Sequence, residues 1–286
     1  MSIRSRLAPT PSGFLHLGNA VNFIRTWLLV RKGGGSLKLR IDDLDSDRSR
    51  PEYIEDIFRQ LDWLGLDWDE GPAGPDDFAR RHSQQLRLER YREVLEKLRE
   101  SGLLFACACS RKEILQRSPS GLYPGTCRRM GHRPSEPHAI RILVEEDSML
   151  EVARRSLKLA QEMGDFVVWR RDGRPTYQLA SLVDDRDDRI NLIVRGEDLL
   201  VSTGAQLYLA DKLGWSEFGG TRFIHHPLLP GPDGRKLSKS DDALSLAALR
   251  ERGETPLLAY RAVARQLGLD PAEITSLTEL LAGLPG

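Results

Sequence analysis

The first sixty residues alternate between helical and strand patterns of apolar side chains. Within residues 20–28 the apolar positions recur at i, i+3, i+4, i+7 and i+8, which predicts one buried face of a helix, and Gly33 ends it. Apolar and charged residues then alternate over residues 37–41, the period of a strand, and Pro51 begins a second helix that reaches Gly65. Helices that alternate with strands in this way cross over a mostly parallel sheet, so the sequence predicts an α/β fold.

This alternation is interrupted in the middle of the chain. Residues 103–175 combine three cysteines with turns rich in glycine and proline, and show few clear periods. We therefore expect a first half of the sheet domain over 1–102, an inserted α+β subdomain over 103–175 and the second half of the sheet domain over 176–250. The last segment, 251–286, is expected to be a short helical tail, because one apolar face recurs through 257–267.

Three further elements are predicted around that insert. Ser83 is expected to cap a helix that runs to Gly102. Residues 191–194 have the composition of a strand, and Thr203 is expected to cap a helix that reaches Leu213.

Charge and hydropathy limit the surroundings in which the chain works. It has 42 basic and 42 acidic side chains, so there is no overall field to attract a polyanion, and nucleic-acid binding would have to rely on basic clusters at 128–133 and 170–174. Such clusters are also common on ordinary solvated surfaces. No stretch approaches the roughly 20 apolar residues of a membrane span, and the N-terminus lacks a secretory signal. We expect a soluble cytoplasmic protein without a membrane partner.

Two segments are suited to phosphate groups. The first is the proline-stiffened loop over residues 9–19, where His16, Gly18 and Asn19 stand at the beginning of the predicted helix. Unpaired N–H groups and the helix dipole attract anions there, and glycine allows close approach of the backbone. Taken alone, the pattern also fits an ordinary capped helix with a buried histidine.

The second segment is the basic loop over residues 235–241. It places Lys236 and Lys239 on either side of Ser238, an arrangement that can hold a triphosphate and stabilise charge that passes to pyrophosphate. A run of this kind also occurs as plain solvated surface.

The two segments together resemble the paired signatures of class I aminoacyl-tRNA synthetases. Further stretches extend the resemblance to the glutamyl branch over residues 4–242, namely 6–13, 39–43, 63–72, 177–180 and 194–198. The resemblance implies a Rossmann-like, doubly wound parallel sheet and activation of L-glutamate by Mg²⁺-ATP. It also implies two overlapping sets of residues: His16, Asn19, Lys236 and Lys239 for catalysis, and His16, Gly18, Asn19, Lys236, Ser238 and Lys239 for ATP binding.

The resemblance also implies a glutamate site. Its positions in this sequence are Arg6, Ala8, Thr10, Asp42, Tyr177 and Arg195. Arg6, Tyr177 and Arg195 would recognise the carboxylates, as arginine forks do. Asp42 would face the ammonium, although the family usually has glutamate there, which is one methylene longer.

The three cysteines form a possible metal site. Cys107, Cys109 and Cys127 supply three thiolates, and the fourth ligand of a tetrahedral zinc site would be Tyr123, His132 or water. Three buried free thiols are the alternative that the spacing leaves open. The pattern resembles the structural zinc site of the glutamyl-queuosine tRNA(Asp) synthetases, a branch of the same family, and this resemblance implies one Zn²⁺ per chain.

That branch implies a particular acceptor. Its members transfer glutamate to the queuosine base at the wobble position of tRNA(Asp), and too few residues follow Ser240 for a large anticodon-binding part. We therefore expect ATP, L-glutamate and queuosine-containing tRNA(Asp) as partners of a monomeric enzyme. Two alternatives remain: a truncated synthetase that charges the 3′ end of tRNA(Glu), and a catalytically silent paralogue that binds RNA or glutamate.

Overall fold

The computed structural model describes residues 2–131, 138–229 and 245–284. The chain divides into two compact units. Unit 1 comprises Met1–Leu86, Ile190–Glu197 and Arg222–Gly286, and unit 2 comprises Arg87–Arg189 and Asp198–Thr221. The two units are compact bodies and are not the same divisions as the predicted functional domains. The predicted domain boundaries after residues 102 and 175 stay a prediction.

The described residues contain nine strands and twelve helices, joined by short helical turns. The strands are β1 (Arg4–Leu7), β2 (Ser36–Leu39), β3 (Leu104–Cys107), β4 (Ala139–Ile142), β5 (Met149–Val152), β6 (Arg155–Lys158), β7 (Phe166–Trp169), β8 (Leu192–Gly196) and β9 (Arg222–His226). The helices are α1 (Leu17–Lys32), α2 (Pro51–Trp63), α3 (Pro75–Asp77), α4 (Leu88–Arg99), α5 (Arg111–Arg117), α6 (Leu159–Glu162), α7 (Tyr177–Asp187), α8 (Leu200–Lys212), α9 (Ser216–Gly219), α10 (Leu246–Glu251), α11 (Leu257–Leu267) and α12 (Leu277–Ala282).

Parallel strand pairs form the framework of unit 1. β1 pairs with β2 and β8 pairs with β9, each pair in parallel register. The N–H of Asn191 donates to the carbonyl oxygen of Arg4 at 3.0 Å. The hydroxyl of Ser5 donates to the carbonyl oxygen of Leu192 at 2.7 Å, so β1 lies beside β8. Parallel strands require crossover connections, and α1 supplies the one between β1 and β2. The α/β prediction is confirmed.

The helices of this framework begin and end where the sequence predicts. α1 is followed by Gly33, whose N–H bonds back to the carbonyl oxygen of Leu29. Pro51 occupies the first position of α2. An N–H at this position makes no hydrogen bond within a helix, so the absence of one in proline costs nothing. Leu7 of β1, Leu37 of β2 and Ile24 of α1 are completely buried together in one apolar core.

Two helix starts differ from the prediction. Ser83 precedes a 3₁₀ turn rather than an α-helix, and α4 begins only at Leu88; the Ser83 hydroxyl accepts the N–H of Gln85 at 3.1 Å and donates to the carboxylate of Asp43. Thr203 is not a cap: it lies inside α8, buried, with its hydroxyl donating to the carbonyl oxygen of Leu199 at 3.1 Å. Ser83 therefore caps a 3₁₀ turn instead of the predicted α-helix, and intrahelical hydrogen bonding takes the Thr203 hydroxyl.

The C-terminal helices are part of the core of unit 1. α11 confirms the predicted apolar face, and Val263 of this helix is completely buried in the same cluster as Ile24. The Tyr260 hydroxyl donates to the carbonyl oxygen of Leu64, the last turn of α2, at 3.0 Å. The tail therefore stabilises the sheet unit instead of standing apart from it.

Antiparallel strands dominate unit 2. β4 pairs with both β3 and β7, and β5 pairs with β6, which is the α+β organisation expected for the insert. α4 is tied to α7 by the Tyr91 hydroxyl, which lies 2.9 Å from a carboxylate oxygen of buried Asp184. Arg87 donates to the same carboxylate at 2.8 Å. No helix in the described residues has the length and apolar character needed to cross a membrane.

One buried carboxylate of unit 1 reduces the stability of the fold. Asp56 of α2 is 3% exposed and accepts a 2.7 Å hydrogen bond from the Gln60 side chain. Its second oxygen and the Gln60 amide oxygen have no hydrogen-bond partner among the described residues. Burial raises the pKa of Asp56, against the opposing effects of Gln60, Arg250 and Arg59.

We therefore expect Asp56→Asn to stabilise the protein at neutral pH. Because the folded pKa is raised, the ionised carboxylate costs stability as the pH rises through the interval between the unfolded pKa, about 3.9, and the folded pKa. The amide removes this cost and can donate to Gln60, so the melting temperature at pH 7 should rise by about 2 °C. Thermal unfolding at pH 7 and near pH 4 checks this: the gain should shrink at the acidic pH. An equal gain at both values would contradict it.

Candidate active site

The loop over residues 9–19 ends in the N-terminus of α1. His16 is the residue before the helix, and its N–H donates to the side-chain oxygen of Asn19 at 3.0 Å. A Cβ at Gly18 would lie only 3.0 Å from Cε1 of the His16 ring, so glycine leaves the space that the imidazole occupies. The first turn of α1 thus places the positive end of the helix dipole and an imidazole close together, as an anion site requires.

The described chain resumes after the basic loop at the same place. Lys236, Ser238 and Lys239 lie outside the described residues, but the chain that follows them is anchored at His16. His16 and Ser245 form an antiparallel bridge, and the N–H of Leu246 donates to the carbonyl oxygen of Leu15 at 2.7 Å.

This bridge limits how far the basic residues can be from the helix. Lys239 precedes Ser245 by six positions, and an extended chain spans at most about 3.6 Å per residue. The backbone of Lys239 is therefore within about 22 Å of the bridge. That limit is compatible with both predicted phosphate segments acting on one ligand.

Two buried arginines lie on neighbouring strands of unit 1. Arg6 of β1 is 5% exposed and Arg195 of β8 is 2% exposed. The Arg195 guanidinium is 5.7 Å from the centre of the Phe223 ring. Buried arginines are costly unless they meet anions, and the carboxyl ends of parallel strands are where α/β proteins bind ligands.

A buried aspartate follows the neighbouring strand, β2. The N–H of Asp42 donates to the carbonyl oxygen of Pro9 at 2.8 Å, which fixes the chain after β2 against the loop after β1. Its carboxylate accepts from Arg40 at 2.7 Å and from the Gln84 side chain at 3.3 Å. Asp42 is 8% exposed, so this carboxylate lies inside the protein next to the loop that carries Ala8, half-buried, and Thr10, exposed.

Tyr177 is in the other unit. It is the first residue of α7, follows Thr176, and has an exposed side chain. Of the six predicted glutamate residues, five therefore belong to unit 1 and one to unit 2.

The structure adds residues that the sequence analysis did not identify. Arg40 and Gln84 contact Asp42, while Ser83 and the Gln84 N–H contact the neighbouring Asp43. Arg40 was within reach of a sequence argument, because it lies two positions before Asp42 in the same motif stretch, 39–43. Gln84 is 42 positions away from Asp42, and no local pattern connects the two.

The predicted metal ligands converge in unit 2. The ligand atoms of Cys107, Cys109 and Cys127 all lie within 4.8 Å of one another, and the sulfurs of Cys109 and Cys127 are 3.6 Å apart. Four ligands about 2.3 Å from a tetrahedral zinc ion have sulfurs about 3.8 Å apart, so the spacing fits such an ion. Burial raises the pKa of Cys109 to about 11, and a hydrogen bond with Cys127 and the nearby Cys107 thiol act in the same direction.

Tyr123 lies in the same cluster. Its side chain is buried, and its hydroxyl oxygen accepts the N–H of Cys127 at 2.7 Å. Burial and hydrogen bonds with Cys127 and Cys107 raise the pKa of Tyr123 well above its ordinary value. His132, the alternative ligand, lies outside the described residues.

Comparison with known proteins places this chain in a family. The family described as tRNA synthetases class I (E and Q), catalytic domain, matches residues 2–281. A glutamyl-Q tRNA(Asp) synthetase of Pseudomonas entomophila is 41% identical over 281 residues, which is 94% of this chain and 89% of that protein. The corresponding protein of Symbiobacterium thermophilum is 41% identical over 276 residues, 88% of this chain and 82% of that one.

Glutamate–tRNA ligases are similar over a smaller part of their own length. The ligase of an Anaeromyxobacter species is 38% identical over 266 residues, 88% of this chain. The chain spans only 55% of that ligase and 58% of the one from Coprothermobacter proteolyticus.

Solved structures show the same relationship. The glutamate tRNA ligase of Elizabethkingia meningosepticum, in complex with its amino acid, matches with a TM-score of 0.77 and 26% identity over 98% of this chain and 64% of that one. The chain therefore belongs to the class I glutamyl- and glutaminyl-tRNA synthetases, matching their catalytic domain over residues 2–281.

Proposed function

We propose that this enzyme activates L-glutamate with ATP and transfers the glutamyl group to the queuosine base at the wobble position of tRNA(Asp). The observation that carries the first step is the buried charge at the carboxyl ends of the strands of unit 1. Three arginines and two aspartates are buried there: Arg6, Arg40, Arg195, Asp42 and Asp43. Their excess of one positive charge suits glutamate, which carries one net negative charge at neutral pH, and disfavours glutamine, which carries none.

Activation needs few chemical groups from the protein. An oxygen of the glutamate α-carboxylate attacks the α-phosphorus of Mg²⁺-ATP, the bond to the bridging oxygen breaks, and pyrophosphate leaves with the electron pair. The nucleophile is already ionised, so no base has to take a proton. In this proposal His16, Asn19 and the N-terminus of α1 orient and stabilise the phosphates, Gly18 allows close approach, and Lys236, Ser238 and Lys239 of the basic loop supply charge.

Substrate recognition is divided among the remaining predicted residues. Arg6 and Arg195 bind the carboxylates, Asp42 receives the ammonium, and Ala8 and Thr10 line the loop beside them. Tyr177 is the remaining residue predicted to recognise a carboxylate.

The second step is transfer to RNA. A hydroxyl of the queuosine cyclopentenediol attacks the glutamyl carbonyl carbon, the mixed anhydride bond breaks, and AMP leaves. Similarity to two glutamyl-Q tRNA(Asp) synthetases over more than 80% of their length supports this acceptor. Similarity to glutamate–tRNA ligases supports the alternative, the 3′ end of tRNA(Glu).

We also propose a structural Zn²⁺ in unit 2. Cys107, Cys109 and Cys127 would hold it, with Tyr123, His132 or water as the fourth ligand. The ion would cross-link β3 with the turn that carries Tyr123 and Cys127.

Reduced thiolates of this kind suit the cytoplasm, where we propose that the enzyme acts as a monomer.

The proposal is tested by labelling tRNA. Purified protein is incubated with radiolabelled glutamate, Mg²⁺-ATP and tRNA from matched cells that make or lack queuosine. We expect label only on queuosine-containing tRNA(Asp), in the fragment that contains the anticodon after nuclease digestion. Label on the 3′ adenosine of tRNA(Glu) in both pools would favour the alternative acceptor, and no label on either pool would contradict the transfer step.

Matched variants show whether labelling depends on the described site. Arg195→Gln removes a buried guanidinium and should reduce labelling by about two orders of magnitude or more. Arg59→Gln removes an exposed guanidinium of the same unit and should leave labelling unchanged. Equal labelling by the two variants would exclude Arg195 from glutamate recognition.

A further inference from the structure

We propose that Gln84 is a positioning residue for amino-acid recognition, holding the Asp42 carboxylate, together with Arg40, in the orientation that receives the ammonium of the substrate. This inference rests on the proposed glutamate activation. The observation that supports it is a set of buried contacts that converge on Asp42 and Asp43, just after β2.

Two donors from different parts of the chain meet at one carboxylate oxygen. Arg40 Nε is 2.7 Å from Asp42 Oδ1, and Arg40 Nη2 is 3.3 Å from Oδ2. Gln84 Nε2 lies 3.3 Å from Oδ1. All three residues are at most 8% exposed, so each contact is made away from bulk water. If the Asp42 carboxylate were paired with Arg40 alone, it could rotate together with the arginine side chain. A second donor from another segment of the chain fixes the plane of the carboxylate.

Gln84 is itself held by the neighbouring aspartate. Its N–H donates to Asp43 Oδ1 at 2.7 Å, and the Ser83 hydroxyl donates to Asp43 Oδ2 at 2.5 Å. The Gln85 side chain donates to the Asp43 carbonyl oxygen at 2.7 Å. The two consecutive aspartates therefore make different contacts. Asp43 holds the segment 83–85 in place, and the Gln84 side chain of that segment donates a hydrogen bond to Asp42.

The chemistry of an amide suits this position. A lysine or arginine at residue 84 would add a positive charge beside the site for an ammonium, and a glutamate would repel the Asp42 carboxylate. The amide donates a hydrogen bond without adding charge, so Asp42 keeps its attraction for a cation. Precise placement has added importance because aspartate reaches one methylene less far than the family's usual glutamate.

The test separates recognition of the ammonium from general damage. Gln84→Met has a similar volume but no donor. We measure glutamate-dependent exchange of pyrophosphate into ATP, and inhibition by glutarate, which has both carboxylates but no ammonium. Loss of a hydrogen bond to a charged group costs about 1.5–3 kcal/mol, so KM for glutamate should rise about 10- to 100-fold. We expect kcat and KM for ATP to stay within about threefold and the inhibition constant of glutarate within about twofold.

A matched control comes from the same unit. Gln60 is also buried and donates to an aspartate, Asp56, at 2.7 Å, so Gln60→Met removes the same kind of contact elsewhere. It should leave KM for glutamate unchanged. Ser83→Ala removes the hydroxyl that contacts Asp43 and the Gln85 N–H but leaves the Gln84 amide in place. It should raise KM for glutamate less than Gln84→Met does, and provides a second variant if Gln84→Met folds poorly.

The outcomes are distinct. An unchanged KM for glutamate in Gln84→Met, or equal weakening of glutamate and glutarate, would overturn the role of Gln84 while leaving glutamate activation in place. Wild-type protein that shows no glutamate-dependent exchange, with or without tRNA, would overturn the proposed function and this inference with it.

Discussion

Replacing Cys107 with serine should abolish stoichiometric zinc binding and lower the free energy of unfolding of unit 2 by about 4 kcal/mol or more. Cys107 is completely buried at the end of β3, and Cys109 and Cys127 lie beside it. If these thiolates hold zinc, the free energy of metal binding is part of the free energy of folding, and a hydroxyl replaces the thiolate poorly as a zinc ligand. Metal analysis of the purified protein and thermal unfolding with and without a chelator are the measurements.

Ser110→Ala is the matched control. Ser110 begins α5 three positions after Cys107, and its loss removes a helix cap, at a cost of about 1 kcal/mol, without touching the sulfurs. It should retain one zinc ion per chain. Wild-type protein without zinc, or a chelator that leaves the melting temperature unchanged, would contradict the metal site and leave three free thiols, two of them buried.

Tyr123→Phe distinguishes the possible fourth ligands. The Tyr123 oxygen accepts the Cys127 N–H at 2.7 Å, so the residue has a structural contact besides any bond to metal. If Tyr123 is a ligand, its removal should weaken zinc binding by an order of magnitude or more, measured by competition with a chelator. If His132 or water completes the site, zinc affinity should change little.

The sequence predicted the framework of unit 1 because its elements are specified locally. Gly33 and Pro51 set helix ends by backbone chemistry that does not depend on the rest of the chain, and the alternation over residues 37–41 marks a strand that ends beside the candidate site. Side-chain hydroxyls were less informative. The hydroxyls of Ser83 and Thr203 each have several possible hydrogen-bond partners. The contact that forms depends on Asp43 for Ser83 and on the preceding helical turn for Thr203.

The residues of the candidate site could likewise be predicted only in part. Motifs identified Arg6, Asp42 and Arg195, and the structure shows these residues buried in unit 1. The sequence did not identify Gln84, because a contact across 42 positions exists only after the segment 83–85 has folded onto Asp43. Nor did it show that α11 packs in the core, because an apolar face indicates burial but not the surface against which it is buried.

Replacing Lys239 with alanine should slow glutamyl-adenylate formation by about 100- to 1000-fold while leaving glutamate binding nearly intact. The lysine is expected to stabilise charge that develops as pyrophosphate leaves, so its contribution arises in the transition state and not in the complex with glutamate. His16→Ala should have a similar effect, because His16 lies before α1 and pairs with Ser245, the residue that follows the basic loop. Pyrophosphate exchange gives the rate, and calorimetry gives glutamate affinity.

The combination of these variants tests whether the two phosphate segments act as one unit. Residues that stabilise the same charge usually have non-additive effects, so the double variant should lose less activity than the product of the two single losses. Lys32→Ala, which removes an exposed lysine that donates to the Leu284 carbonyl oxygen, should keep the wild-type rate. An unchanged rate in Lys239→Ala would remove this lysine from the mechanism. Strict additivity would mean that the helix N-terminus and the basic loop act on separate parts of the reaction, despite the backbone bridge that joins them.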